Sequence, residues 1–192
     1  YVRIARVIRD IPSQEISHGS KVTNLRQTVQ EYMKHNGLVC RCLRCREVGH
    51  QKELRISNYE FRIKITERSY AASGGTEYFL SFENEDESVL FGFLRLRLPS
   101  LSDNPVTDHV NELHGAALIR ELHTYGQLVS INEQDAQASQ HKGLGKKLML
   151  RAEEIAREAG YAKMAVISGI GVRQYYSKIG YTLEGTYMIK YL

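Results

Sequence analysis

The sequence predicts an α/β fold, a mixed and mostly antiparallel sheet flanked by helices. Three observations carry that expectation. The runs 59–66, 78–82 and 90–98 read as strands, with apolar and polar residues alternating over 59–66 and 94–98, and the turn-forming stretches Ser73-Gly74-Gly75 and Asn84-Glu85-Asp86-Glu87 separate them. Between Gln140 and Gly160 the period becomes helical, with Leu144, Leu148, Ala152, Ile155, Ala156 and Ala159 on one face. The run Lys163-Met164-Ala165-Val166-Ile167 then reads as a short buried strand, so late strands and helices alternate without making a regular βαβ array.

Taken in order, residues 1–10 read as a strand that Ile11-Pro12-Ser13 breaks. Residues 21–36 suit a helix with Val22, Leu25, Val29 and Met33 as one apolar stripe, and Gly37 is placed to end it. The three strand-like runs from Tyr59 to Leu98 look like an antiparallel meander, with Tyr59, Phe61, Ile63 and Ile65 facing inward in the first. Residues 99–114 hold Pro99 and Pro105 and read as a loop. Strand resumes over 116–131, with Gly126 suited to a bulge. After the long helix and the buried strand, residues 172–179 form a short helix and 180–192 a last strand.

The chain has 192 residues, with 42% hydrophobic and 25% charged side chains, which fits a globular protein and excludes a disordered one. No apolar run approaches the roughly 20 residues of a membrane-spanning helix, so no membrane partner is expected. Residues 1–7 alternate charges with aliphatics and do not build the core of a signal peptide. The chain opens on Tyr1 and is read as a piece of a longer polypeptide. The formal charge is +4, but residues 1–52 carry ten basic and four acidic side chains while the remainder is slightly acidic. We therefore divide the chain into a basic linker, helix and Cys-rich loop over 1–52 and a near-neutral domain over 53–192. Clustered Lys and Arg suit a polyanion, here represented by Arg26, Lys34, Arg41, Arg44 and Arg46, although a solvated basic surface has the same composition.

The three cysteines, Cys40, Cys42 and Cys45, fall within six residues. They are too close to staple distant elements, and an odd count argues against a disulfide framework and for a reducing, cytoplasmic compartment. Three soft ligands on one tight loop favour a structural zinc ion with a fourth ligand from elsewhere. His50 is nearest in sequence; His35, His114 and His123 are the other candidates.

Chemistry concentrates at the start of the long helix, Gln140-His141-Lys142-Gly143-Leu144-Gly145-Lys146-Lys147. Two glycines at spacing two let backbone approach a ligand, and a helix N-terminus suits a pyrophosphate, with three lysines adding charge. The spacing matches neither a dinucleotide fingerprint nor a P-loop. Followed by a long helix, a short strand and Tyr175-Tyr176-Ser177-Lys178-Ile179-Gly180-Tyr181, it resembles the acetyl-CoA half of the GNAT acetyltransferases. The resemblance implies that Gln140, His141, Lys142, Gly143, Leu144, Gly145, Lys146 and Lys147 surround the CoA pyrophosphate. It also implies that Leu128, Val129 and Ser130 pair with the pantetheine arm and that Tyr176, with Tyr175 beside it, lies near the thioester sulfur. A phenol with pKa near 10 is suited to donate a proton to a leaving thiolate.

A narrower resemblance rests on Arg9-Asp10-Ile11-Pro12, Asn24-Leu25-Arg26, Cys45-Arg46-Glu47-Val48-Gly49, Glu121-Leu122-His123-Thr124-Tyr125-Gly126 and Ala165-Val166-Ile167-Ser168-Gly169-Ile170-Gly171. These are similar to the acetyltransferase region, and the segment leading into it, of the radical-SAM/GNAT family of Elongator catalytic subunits, of archaeal or bacterial type. That resemblance covers nearly the whole chain. It implies a tRNA-modifying enzyme that uses acetyl-CoA and SAM to form 5-carboxymethyluridine at the wobble position, hydrolysing acetyl-CoA in response to tRNA. SAM and an iron–sulfur cluster would belong to a radical-SAM domain of the same polypeptide, since no C-x-x-x-C-x-x-C triplet occurs here. It allows a homodimer or partner subunits, and it leaves Glu121 and His123 as polar candidates for the catalytic site. Two other expectations stand beside it: a GNAT enzyme acetylating lysine or another amine, and a non-catalytic zinc-containing tRNA-binding module.

Overall fold

Lys64–Ala71 (β1) turns through Ser73 and Gly74 into Gly75–Glu83 (β2), both turn residues having positive φ, 42° and 69°. The Ala72 amide closes the turn on the Gly75 carbonyl at 3.0 Å. Positive φ at both central positions gives a hairpin turn whose twist matches the strands it joins. The computed structural model describes residues 1–4, 12–19, 21–22, 24–50, 62–100, 109–125 and 143–192. Its other strands are β3 (Leu90–Pro99), β4 (Ala116–Thr124), β5 (Lys163–Val166), β6 (Thr182–Glu184) and β7 (Tyr187–Tyr191). They form one seven-stranded sheet in the order β1-β2-β3-β4-β5-β7-β6. Only β4 and β5 run parallel; every other pairing is antiparallel. The expected fold class, GNAT-type mixed and mostly antiparallel, is therefore present.

The meander forms as its alternation dictates, with two adjustments. Ile65, expected inward, is exposed, because β1 is the sheet's edge and has no layer outside it. Residues 59 and 61 lie outside the described residues. The single strand expected over 180–192 is instead a hairpin, β6 and β7, turned at Gly185 with φ 54°. Residues 1–4 belong to no strand, and the rest of the strand expected over 1–10 lies outside the described residues.

Among the described residues, four α-helices accompany the sheet: α1 (Leu25–His35), α2 (Leu43–Arg46), α3 (Leu144–Glu158) and α4 (Arg173–Ser177). The predicted stripe of α3 is buried except at its end: Leu144, Leu148, Ala152, Ile155 and Ala156 pack with Leu80, Leu94 and Leu96, whereas Ala159 is the C-cap and is exposed. The stripe predicted for α1 is not: that helix has no buried residue, and Val22 and Val29 are exposed.

The sheet buries both faces. Opposite α3, Phe79, Leu90 and Phe93 enclose Leu43 of α2, which is fully buried. Burying one leucine contributes about 1.5–3 kcal/mol. The Cys-bearing turn is thus seated directly on the sheet, and Glu47 forms a parallel bridge to Leu90.

β4 carries a bulge. Arg95 faces Glu121 across the ladder but Leu96 faces Ile119, so Arg120 is the additional residue. Ile119 and Leu122, an odd number of residues apart, consequently both join the α3-side core.

Candidate functional site

Four residue pairs, from Ala116↔Lys163 to Ile119↔Val166, join β4 to β5, and β4 then continues through residues 120–124 with no β5 partner. The last link is the Ile167 amide donating to the Ile119 carbonyl at 3.2 Å. β5 ends at Val166 while β4 runs on to Thr124, which leaves an opening in the pairing at the carboxyl ends of the two parallel strands, where α/β sheets place ligands.

The start of α3 lies at this opening. Gly143 occupies its N-cap with φ 88°, a left-handed conformation that glycine adopts without strain, and among the described residues no side chain caps the first-turn amides. Gly145 is in close quarters: a Cβ there would come 2.9 Å from the Tyr175 hydroxyl and 3.5 Å from Thr124 Cγ2. The end of β4, the start of α3 and α4 therefore meet at one glycine. Lys146 and Lys147 follow on the exposed side of the helix.

The two tyrosines of α4 have different surroundings. Tyr175 is 36% exposed, whereas Tyr176 is 6% exposed and belongs to the main core. Tyr176 packs edge-on against Tyr175 at 5.2 Å and against Tyr181 at 6.1 Å. Burial pushes both phenols above their ordinary pKa, and for Tyr176 the neighbouring Tyr175 adds to it. Both are protonated, hence hydrogen-bond donors, at neutral pH.

Glu121 and His123 are not gathered with this group. They project from the opposite face of β4, where His123 Nε2 lies 3.1 Å from Glu121 and Arg95 Nε donates to Glu121 at 2.9 Å. The Arg95 guanidinium covers the Phe79 and Phe93 rings, and the His123 ring packs against Phe93. The bulge at Arg120 brings a second ion pair onto this face, Arg120 to Glu77 at 2.8 Å. The candidates Leu128, Val129, Ser130, Gln140, His141 and Lys142 lie outside the described residues.

The cysteines converge as their spacing predicts. One helical turn places Cys42 and Cys45 on the same side, Cys40 approaches in the preceding extended chain, and the three sulfurs lie within 4.8 Å of one another. A tetrahedral zinc with bonds of about 2.3 Å needs sulfurs roughly 3.8 Å apart, so the donor set fits. Burial alone would raise the Cys42 thiol, but backbone hydrogen bonds from Cys45 and Ile4, with the neighbouring thiols, lower it to about 7. Cys45 is raised to about 11, mainly by burial. Gln30 Nε2 donates to Cys45 Sγ at 3.4 Å and Arg26 Nη1 at 3.9 Å; sequence reasoning does not single out Gln30 and places Arg26 with the polyanion-facing residues. None of the described histidines joins the group. His50, the expected fourth ligand, is half exposed and directs Nε2 to Glu47 at 3.3 Å.

The predicted polyanion-facing side chains divide. Lys34 and Arg41 are exposed, Arg44 is partly buried, and Arg26 turns to Cys45 and the Ile4 carbonyl. Arg46, expected to point outward, is only 7% exposed. Its guanidinium donates to Glu83 and to the Glu87 carbonyl, each at 2.8 Å, and so is withdrawn from the surface. No local pattern signals this, since the partner carboxylate lies on β2, a strand of the meander.

The fold is that of a known class: residues 41–181 match the acetyltransferase (GNAT) family, and the chain belongs to that family. Among individual proteins it is similar to the tRNA uridine(34) acetyltransferase of Dehalococcoides mccartyi, 45% identical over 100% of this chain and 41% of that protein. It is likewise 44% identical to human Elongator complex protein 3 over 100% of this chain and 34% of that protein. The solved structure of Methanocaldococcus infernus Elp3 with an N-terminal deletion superposes on 98% of the chain and 44% of its own, at 42% identity and a TM-score of 0.79. The chain thus spans between a third and two fifths of the length of these curated relatives. Among the described residues, no helix is long and apolar enough to cross a membrane.

Proposed function

We propose that this chain binds acetyl-CoA in the opening between β4 and β5 and serves a tRNA-modifying acyltransferase that forms 5-carboxymethyluridine at the wobble position. The observation that carries the reading is the meeting of Thr124, Gly145 and Tyr175 at the mouth of that opening, in a chain similar throughout to a tRNA uridine(34) acetyltransferase. The first-turn amides at Gly143, Leu144 and Gly145 hold the pyrophosphate, aided by Lys146 and Lys147 and by Gln140, His141 and Lys142 just before. Leu128, Val129 and Ser130 receive the pantetheine arm. Tyr175, whose ring reaches the mouth, donates a hydrogen bond to the thioester sulfur and a proton to the departing thiolate; Tyr176 holds it from beneath.

Cys40, Cys42 and Cys45 hold a structural zinc, whose binding would fix the turn that carries Arg41 and Arg44. With Lys34 these form the described tRNA-facing set. Glu121 and His123, paired with each other and with Arg95 on the other face of β4, are given no part in handling the acetyl group. SAM and the iron–sulfur cluster of the complete modification lie in a radical-SAM domain beyond this chain.

The test is acetyl-CoA hydrolysis by the chain with and without tRNA, alongside Tyr175→Phe and Tyr176→Phe. Stimulation by tRNA that Tyr175→Phe abolishes is the expected result. Acetylation of a lysine peptide without tRNA would replace the reading with an ordinary amine acetyltransferase. Absence of any CoA binding would leave a non-catalytic zinc-containing tRNA-binding module.

A further inference from the structure

Glu153 is 2% exposed, a carboxylate in the interior of α3 that the acetyl-CoA reading does not use. Lys190 of β7 reaches it: its Nζ donates to Oε1 and Oε2 at 2.9 and 2.8 Å. The third ammonium hydrogen is also engaged, with the Ile179 carbonyl at 3.2 Å, which saturates the donors of a lysine. Tyr181 donates its hydroxyl to the same Glu153 Oε1 at 2.9 Å, and the ammonium lies 5.5 Å from the Tyr181 ring. Arg157, one turn further along α3, approaches Glu153 at 3.5 Å.

One cation therefore ties three pieces together: α3, the chain leaving α4 at Ile179, and the ring on which Tyr176 leans. The turn between them is tight, with Gly180 at φ 92° lying against the Lys190 side chain. An apolar set of similar volume would seal this interior as well as an ion pair does. What the ionic arrangement adds is direction, because three fixed donors set the distance from α3 to α4. That distance determines where the Tyr175 hydroxyl stands over Gly145.

We infer that Lys190, through Glu153, Ile179 and Tyr181, is a positioning residue for the Tyr175–Tyr176 pair, an assignment that rests on the reading of this mouth as the acetyl-CoA site. The experiment uses Lys190→Met and the charge-balanced Glu153→Gln/Lys190→Met, each in the wild-type and the Tyr175→Phe background. Acetyl-CoA affinity is measured by calorimetry, unfolding by heat, and the environment of fluorotyrosine at position 175 by 19F NMR without ligand.

The expected result is a roughly tenfold weaker affinity in the wild-type background, less than about twofold in the Tyr175→Phe background, and a shifted 19F resonance. The double variant is expected to recover stability without recovering affinity. An equal loss in both backgrounds, or an unmoved resonance in a folded variant, would overturn the inference. If the unmodified chain binds no acetyl-CoA, the site reading fails, and the resonance by itself decides whether Lys190 positions Tyr175.

Discussion

Arg46 and Glu83 meet at 2.8 Å across 37 residues of sequence, with the Glu83 side chain wholly buried and Arg68 closing on its other oxygen at 3.0 Å. The pair joins the Cys-bearing turn to β2. Removing Arg46 leaves the buried Glu83 with only the partly exposed Arg68 as counter-charge, so Arg46→Met is expected to cost about 3 kcal/mol of unfolding free energy, the lower end for a broken buried pair. Arg68→Met should cost less, because Arg68 is partly exposed and Arg46 remains. Urea unfolding of both variants checks the order.

The same pair sets an acid limit. Burial alone would raise the Glu83 carboxyl, but the Ser81 hydroxyl and the Arg46 and Arg68 guanidinium groups outweigh it and hold the pKa below the ordinary value. A folded pKa below the unfolded one means that the native state binds fewer protons. The stabilisation is therefore complete above the unfolded carboxylate pKa of about 4.3 and is lost as pH falls through the lower folded value. Thermal unfolding from pH 7 to pH 3 should show this decline, and Glu83→Gln should flatten it.

Gly145→Ala separates stability from function. Alanine is a better helix former than glycine by about 0.8–1.0 kcal/mol, but its Cβ would lie 2.9 Å from the Tyr175 hydroxyl and force that ring aside. The expected outcome is an intact fold with weakened acetyl-CoA binding. In the Tyr175→Phe background, where the hydroxyl is gone, the substitution should raise the melting temperature. Calorimetry and thermal scans of the two single variants and the double decide it.

Metal removal should expose unequal thiols. In chelator-treated protein, alkylation of Cys42 is expected to rise with a midpoint near pH 7, its lowered value, while Cys45, raised to about 11, stays slow through neutral pH. Added zinc should suppress both. Mass spectrometry of iodoacetamide-treated protein across pH reads each site separately.

The elements best read from sequence were those that their own neighbours specify. The period of α3, the alternation of the meander and the convergence of Cys40, Cys42 and Cys45 are all local patterns. What eluded it depends on partners distant in the chain. Tyr175 and Tyr176 are adjacent in sequence, yet only packing against Tyr181 shows that Tyr176 is the inner one. Arg46 looks like its neighbours Arg41 and Arg44 until Glu83 claims it. The hairpin at Gly185 was hidden because β-strand composition runs on across a turn that one glycine suffices to make.

The parallel contact of β4 with β5 also implies an order of assembly. β1 to β4 are successive neighbours in chain and sheet, whereas β4 must wait for a partner almost forty residues beyond its end. Pairings between distant segments carry the greater loop-closure cost and tend to form late. The opening beside Gly145 is expected to be the last feature completed as the chain folds. A ligand bridging α3 and β4 would then stabilise the seam that forms most slowly, acting as a clasp on the half-finished sheet as well as a substrate.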